Sequence, residues 1–407
     1  MIVTLKRKPL NGRECLVVAP IYDVDFYSDT VISAPIAAYR EMRALGPVIR
    51  LPQNHCWAAV QHRPALEILR RPKLFLSGKG LSLNPDVNKM LIGSSLNSDG
   101  EAHRRQRAVT ATPIMADQLA SLTPFIEGAA ETLADRLTSQ KHFDAVVDFA
   151  RILPVSIVIE LVGLPDHGKD KMLDWAAATF NLFDGYNARS EASFAKLREL
   201  REFLDIYGKP EHLQSGGLSK RIFEEAPKHG FGLEQSAQMM RDYIAPSLDT
   251  TISTAAYLAY AFAKAPEQWD MLCSDLDKIP NAIEEAVRLA TPIRAFSRYV
   301  AENVEFHGVT MREGDRVLVV YASANRDESV FENADTFDIT RKTHKHLGFG
   351  QGVHMCMGMH LARLELKQLL ASMAKRVKRW HLDGEATIAM NNTIRAFETL
   401  PVRVETL

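Results

Sequence analysis

The run Phe349-Gly350-Gln351-Gly352-Val353-His354-Met355-Cys356-Met357-Gly358 constrains this chain more than any other stretch. It sets one cysteine in a glycine-rich loop that feeds directly into an amphipathic helix carrying Leu361-Ala362-Arg363-Leu364-Glu365. Glycines without a Cβ let the backbone take left-handed turns and approach a flat partner closely. The helix start turns unsatisfied N–H groups and a positive dipole end toward the sulfur. Both effects favour thiolate over thiol, and thiolate is the form that ligates metal.

A thiolate presented in this way suits the axial position of a haem iron, where it promotes O–O cleavage. Two other readings use the same residues. A free cysteine also serves as a small buried hydrophobe. A zinc site drawn from His344, His346, His354, Cys356 and His360 has the right ligand types. The chain has no CxxC pair, however, and zinc leaves the glycines, Phe349 and the Arg363/Glu365 helix unexplained.

Taken as a string, Phe349 to Glu365 resembles the haem-binding signature of the cytochrome P450 family, FGxGxHxCxGxxLARxE, and matches it at every defined position. About seventy residues upstream, Glu285-x-x-Arg288 resembles the family's ExxR motif, and Arg341 occupies the place of a third, bridging charge. Alone, an i,i+3 ion pair says little. The resemblance implies that Glu285, Arg288 and Arg341 lock the scaffold beneath the haem. A third run, Ala245-Pro246-Ser247-Leu248-Asp249-Thr250-Thr251, lies inside an apolar stretch from Met239 to Phe262. Asp249 and Thr250 match the family's acid–alcohol pair, and a carboxylate beside a hydroxyl can deliver the two protons that dioxygen reduction consumes. Pro246 and Ser247 depart from the small residues usual there. A proline inside a helix removes an N–H and clashes with the carbonyl four residues back, here Asp242, so the sequence predicts a kink.

The resemblance spans about Val24 to the C-terminus. It implies a mostly α fold with small β-sheets, the cytochrome P450 fold around one haem b, as a single domain over 24–407 behind a 1–23 extension. His103 and Arg107, one helical turn apart, together with Arg298 and His354, match the family's haem-propionate contacts, and charge-assisted bonds suit that task. Phe349, Gly350 and Gly358 complete the expected haem contacts around Cys356. The pocket candidates are Leu96, Phe180, Phe183, Asp242, Pro246, Ile293, Ile394, Phe296 and Phe397.

Several segments, including Asn391-Asn392-Thr393-Ile394-Arg395, also resemble the bacterial subgroup that demethylates para-methoxybenzoates. Those relatives hold the substrate carboxylate with an Arg and a Ser ahead of the helix that carries His103. Met90 and Gly93 stand at those places, which points to a neutral or phenolic aromatic, with Asp242 accepting a bond from a hydroxyl or amine. The implied activity is hydroxylation or O-demethylation with O2 and a ferredoxin-type donor fed by an NAD(P)H-dependent reductase. Oxidation of a terpenoid or fatty acid, a peroxygenase and a haem-based sensor are the alternatives, and the Asp249–Thr250 pair speaks against the peroxygenase.

Composition sets the outer limits. The formal net charge is −1 over 407 residues with no basic block, so no nucleic-acid partner is expected. Cys15, Cys56, Cys273 and Cys356 show no disulfide framework, which fits a cytoplasmic setting. Lys6-Arg7-Lys8 leads into polar sequence rather than a signal peptide, and no apolar run is long enough to span a membrane. Helices are expected at Ala37–Leu45, around Glu67–Leu69, from Ala102 to the Gly208-Lys209-Pro210 loop, and from Leu233 to Lys264. Strands are expected at Val48–Leu51, Trp57–Val60 and Arg316–Tyr321, with Ser77–Ser95 as a loop.

Overall fold

Ala245–Lys264 is a twenty-residue helix whose side chains from Thr251 through Ala256 are all buried, the mark of a helix enclosed by other elements. It packs against Ala145–Ala150, Ile152–Val162, Met172–Asn181, Ile279–Ala290 and Met359–Ala374. Among the residues described in this computed structural model, 19–111, 114–115, 118–164, 168–183 and 185–407, helices dominate and the strands form four small sheets.

The helical stretch expected from Leu233 to Lys264, with its kink near Pro246, is two helices. Leu233–Arg241 ends, Asp242 to Ile244 turn, and the second helix starts at Ala245 with Pro246 in its first turn. A first-turn residue needs no N–H, so proline is accommodated there, and the turn removes the clash with the Asp242 carbonyl. The apolar period runs through this break, so the pattern alone could not place it.

The largest sheet orders its strands Val48–Leu51, Cys56–Ala59, Arg316–Val319, Phe296–Val300 and Phe75–Leu76. Side chains alternate between its faces. Val48, Trp57, Ala59, Val317 and Val319 join the large helical core, while Ile49, Leu51, Ala58 and Leu318 join a smaller core with Phe26, Tyr39 and Met42. The third strand stops at Val319 rather than Tyr321, because Tyr321–Ala324 forms a helical turn. Two more expectations are corrected. The Ser77–Ser95 loop contains a short helix, Pro85–Met90, capped by the Asn84 side chain. The helical run after Ala102 is interrupted by His142–Asp144, which pairs with Pro401–Thr406.

Met1 to Val18, with Lys6, Arg7, Lys8 and Cys15, lies outside the described residues. The remainder of the expected 1–23 extension does not stand apart. Arg50 N–H donates to Pro20 O at 2.7 Å and Tyr22 N–H to Arg50 O at 3.0 Å, using the free edge of Val48–Leu51. Among the described residues, no helix is long and apolar enough to cross a membrane.

Candidate active site

The cysteine loop is shaped by close backbone packing. Gly350 and Gly352 have φ of 68° and 72°. A Cβ on Gly352 would lie 2.4 Å from the Leu69 carbonyl oxygen, and one on Gly348 2.5 Å from Val287 Cγ1. Cys356 N–H donates to Phe349 O at 2.8 Å and closes the loop. Behind it, Arg363 lies 4.8 Å over the Phe349 ring and is gripped by Glu284 at 2.6 and 3.0 Å. Arg341 donates to Glu285 Oε1 at 3.0 Å, so the three charges singled out from sequence do meet.

Burial pushes the Cys356 thiol up, opposed by the Gly358 N–H, by Arg107 and Arg363, and by the Met359 N–H. Those donors act in the direction the sequence implied, toward thiolate, and a metal cation held at the sulfur would act the same way. Zinc finds no support, since among the described residues no three His, Cys, Asp or Glu side chains are grouped to hold a metal. His346 instead bonds Glu284 at 2.8 Å.

Four cationic or donor side chains converge above this loop from three elements. His103 and Arg107 lie on Gly100–Ala111, Arg298 on Phe296–Val300, and His354 on the cysteine loop. The two imidazole rings are 4.1 Å apart, and both Nε2 atoms are buried with no hydrogen-bond partner among the described residues. The nearest carboxylate oxygen to His354 Nε2, on Asp99, is 3.9 Å away, beyond hydrogen-bond reach. Burial, with the charges of His354 and Arg107, lowers His103 to about 4. Orphaned buried donors beside two guanidiniums describe a receptor for a pair of carboxylates.

One cavity connects these features. Cys356, Gly350, Gly358, Arg107, Arg298 and His354 border it on one side, and Pro246, Ser247 and Thr250 on the other, with Phe349 also in its wall. Of the pocket candidates, Leu96, Phe180, Asp242, Pro246, Ile293 and Phe296 line it. Phe183 does not: it stands behind Phe180 and Phe296, with ring centroids 6.2 and 5.1 Å from theirs. Phe397 packs on Tyr260 at 5.1 Å, and Ile394 pairs with Ile293 from outside the cavity wall. Successive helical residues point about 100° apart, and this separates Asp249 from Thr250. Thr250 borders the cavity, whereas Asp249 turns away from it and has Arg151 as its nearest opposing charge.

Burial raises Asp249 to about 7 against Arg151, and its Oδ2 has no partner among the described residues. Sequence reasoning missed Ser95, which donates to Asp242 through both its N–H and its hydroxyl. It also gave no separate role to Glu365, a fully buried cavity-wall carboxyl that burial holds well above the ordinary range.

Fold and site together define a helical protein whose cavity, between a cysteine loop and a broken helix, has a lining that fits a flat, doubly carboxylated metal macrocycle. The comparisons agree. The family model for cytochrome P450 matches residues 195–393. Cytochrome P450 CYP199A2 of Rhodopseudomonas palustris is 30% identical over 391 residues, covering 94% of this chain and 93% of that protein. The steroid C26-monooxygenase of Mycolicibacterium smegmatis is 28% identical, covering 93% and 94%. The CYP116B5 haem domain of Acinetobacter radioresistens superposes with a TM-score of 0.84 at 23% identity, covering 94% of this chain and 97% of that one, and so shares the fold. The chain belongs to the cytochrome P450 family of monooxygenases. That family carries haem b, and the orphaned histidines, the two arginines and the cation-seeking thiol fit it.

Proposed function

We propose that this chain is a monooxygenase of a small, mostly apolar aromatic molecule, folded as one domain, in which Cys356 would hold the iron of haem b and His103, Arg107, Arg298 and His354 would hold its carboxylates. The observation that carries the reading is the cavity bordered by Cys356 and Thr250, with the unpartnered His354 nitrogen in its wall and the unpartnered His103 nitrogen on the ring packed behind it. When bound, haem supplies dioxygen binding and its two-electron reduction.

The overall change is RH + O2 + NAD(P)H + H+ → ROH + H2O + NAD(P)+. A methoxy carbon hydroxylated in this way collapses to a phenol and formaldehyde. The side chains do the rest. Thr250 Oγ donates its proton to Pro246 O at 2.8 Å, so its lone pairs are left to accept a bond from the cavity. Asp249, raised to about 7, titrates where a proton carrier at neutral pH is most effective. Leu96, Phe180, Ile293 and Phe296 exclude water and press on a flat ligand. On the cysteine-loop surface, Lys342 and His344 border a second hollow whose Arg363 is neutralised by Glu284, and Lys342 there supports docking of an acidic, ferredoxin-type donor.

The test is a carbon monoxide difference spectrum of the reduced protein, followed by NADH consumption with a surrogate ferredoxin system, with and without aromatic ligands. A long-wavelength Soret band that disappears in Cys356→Ala, and ligand-stimulated NADH use, are expected. Protein without porphyrin overturns the reading.

A further inference from the structure

Asp242 is an expensive residue in its position. It closes the C-terminal end of the helix Leu233–Arg241, where the macrodipole disfavours negative charge. It borders the main cavity, amid Leu96, Phe180 and Ile293. Burial raises it to about 6 against the Ser95 bonds and Arg107, so the carboxylate still prevails at neutral pH.

Its hydrogen bonding is lopsided. Oδ2 accepts the Ser95 N–H at 3.2 Å and the Ser95 hydroxyl. Among the described residues, nothing donates to Oδ1. Arg107 is, among the described residues, the cation whose charge reaches Asp242, and its guanidinium already donates to Met355 O at 2.7 Å. On the reading above, which this inference rests on, Arg107 and Arg298 neutralise the two haem carboxylates. Asp242 is then the uncompensated charge of the substrate chamber. A cavity-wall carboxylate that is held through one oxygen and left open at the other suits a cationic donor from the ligand.

We propose that Asp242, positioned by Ser95, anchors a protonated amine, so that the substrates of this enzyme are small aromatic bases. The same charge repels a carboxylate.

The test uses holoprotein near neutral pH and three probes: N,N-dimethyl-4-methoxybenzylamine, its neutral carbon isostere 1-isobutyl-4-methoxybenzene, and 4-methoxybenzoate. Binding is read both by the high-spin shift of the haem band and by calorimetry. The amine is expected to shift the band and bind about tenfold tighter than the isostere, the worth of one charge-assisted bond, with no shift from the benzoate. Asp242→Asn removes that preference and keeps the carbon monoxide band. Equal affinity of amine and isostere overturns the proposal, as does a preference that survives in Asp242→Asn. A red-shifted band also overturns it, because the nitrogen then faces the metal instead of Asp242. The amine-to-isostere ratio in the unmodified protein decides the matter even where the variant fails to fold. Loss of the carbon monoxide band in the unmodified protein is a different failure, that of the haem-thiolate reading itself.

Discussion

Glu285 and Arg288 face each other one turn apart on the same helix, joined by two hydrogen bonds of 2.7 and 2.8 Å, with both side chains wholly excluded from solvent. Arg288 also donates to the carbonyls of Asn325 and Ala334, tying the helix Ile279–Ala290 to the segment that leads into the cysteine loop. Removing one member strands the other charge in the interior, which typically costs about 3–5 kcal/mol. Arg288→Ala is therefore expected to lower the urea midpoint by that equivalent and to yield protein depleted in haem. Arg341→Ala should cost less, because that guanidinium reaches solvent. Equal midpoints for Arg288→Ala and the parent would count against the lock.

Gly352 and Gly350 share a positive φ but differ in surroundings. A methyl on Gly352 would lie 2.4 Å from a backbone oxygen, whereas the nearest atom to one on Gly350 is 3.7 Å away. Left-handed backbone costs a non-glycine residue roughly 1–2 kcal/mol, while a clash with backbone has no side-chain escape. Gly352→Ala should therefore abolish haem incorporation, and Gly350→Ala should only lower the melting temperature by several degrees. Absorbance at the Soret band relative to protein checks both.

The cysteine loop was legible because it is a local string of constrained residue types, whereas Arg341 and the set of His103, Arg107, Arg298 and His354 are scattered along the chain and were picked out only by their resemblance to the family's positions. What the sequence hid is tertiary. Ser95 and Asp242 are 147 positions apart, and Ser95 lies in a segment without periodicity. The break at Asp242 to Ile244 was masked by apolar residues on both sides, although Pro246 did mark the neighbourhood. Phe180 and Phe183 are identical in type and close in sequence, yet the helix Met172–Asn181 ends between them, so only Phe180 reaches the cavity. For Cys356 the helix-end argument had the right sign, with the Gly358 and Met359 N–H groups both favouring the thiolate.

Thr250 accepts from the cavity only while its own proton rests on Pro246 O. Thr250→Ala deletes that acceptor and leaves the helix turn intact, since alanine favours helix. One hydrogen bond worth about 1–1.5 kcal/mol corresponds to roughly tenfold in partition. Product formed per NADH should fall by about that factor, with hydrogen peroxide collecting the diverted electrons, while Thr250→Ser retains most of the coupling. Simultaneous assays of NADH, peroxide and product test this. Unchanged product per NADH in Thr250→Ala would remove the residue from the proton path.

Asp249 links catalysis to stability through its buried carboxyl. Burial raises it to about 7 in the folded protein from an ordinary value of 3.8. Between those values the native state holds a proton that the unfolded chain has released. Stability contributed by the protonated form is thus complete below the unfolded value and is lost as pH rises through the folded one. A carboxamide does not ionise, so Asp249→Asn should abolish this slope. At about 1.4 kcal/mol per pH unit, its advantage in unfolding free energy over the parent should widen by about 3 kcal/mol from pH 5 to pH 8. Turnover should fall in the same variant, because a carboxamide cannot carry a proton. Denaturant melts of both proteins at the two pH values measure the difference. A gap that stays constant across that range would mean the carboxyl is ionised throughout, stabilised by Arg151 more strongly than burial opposes it.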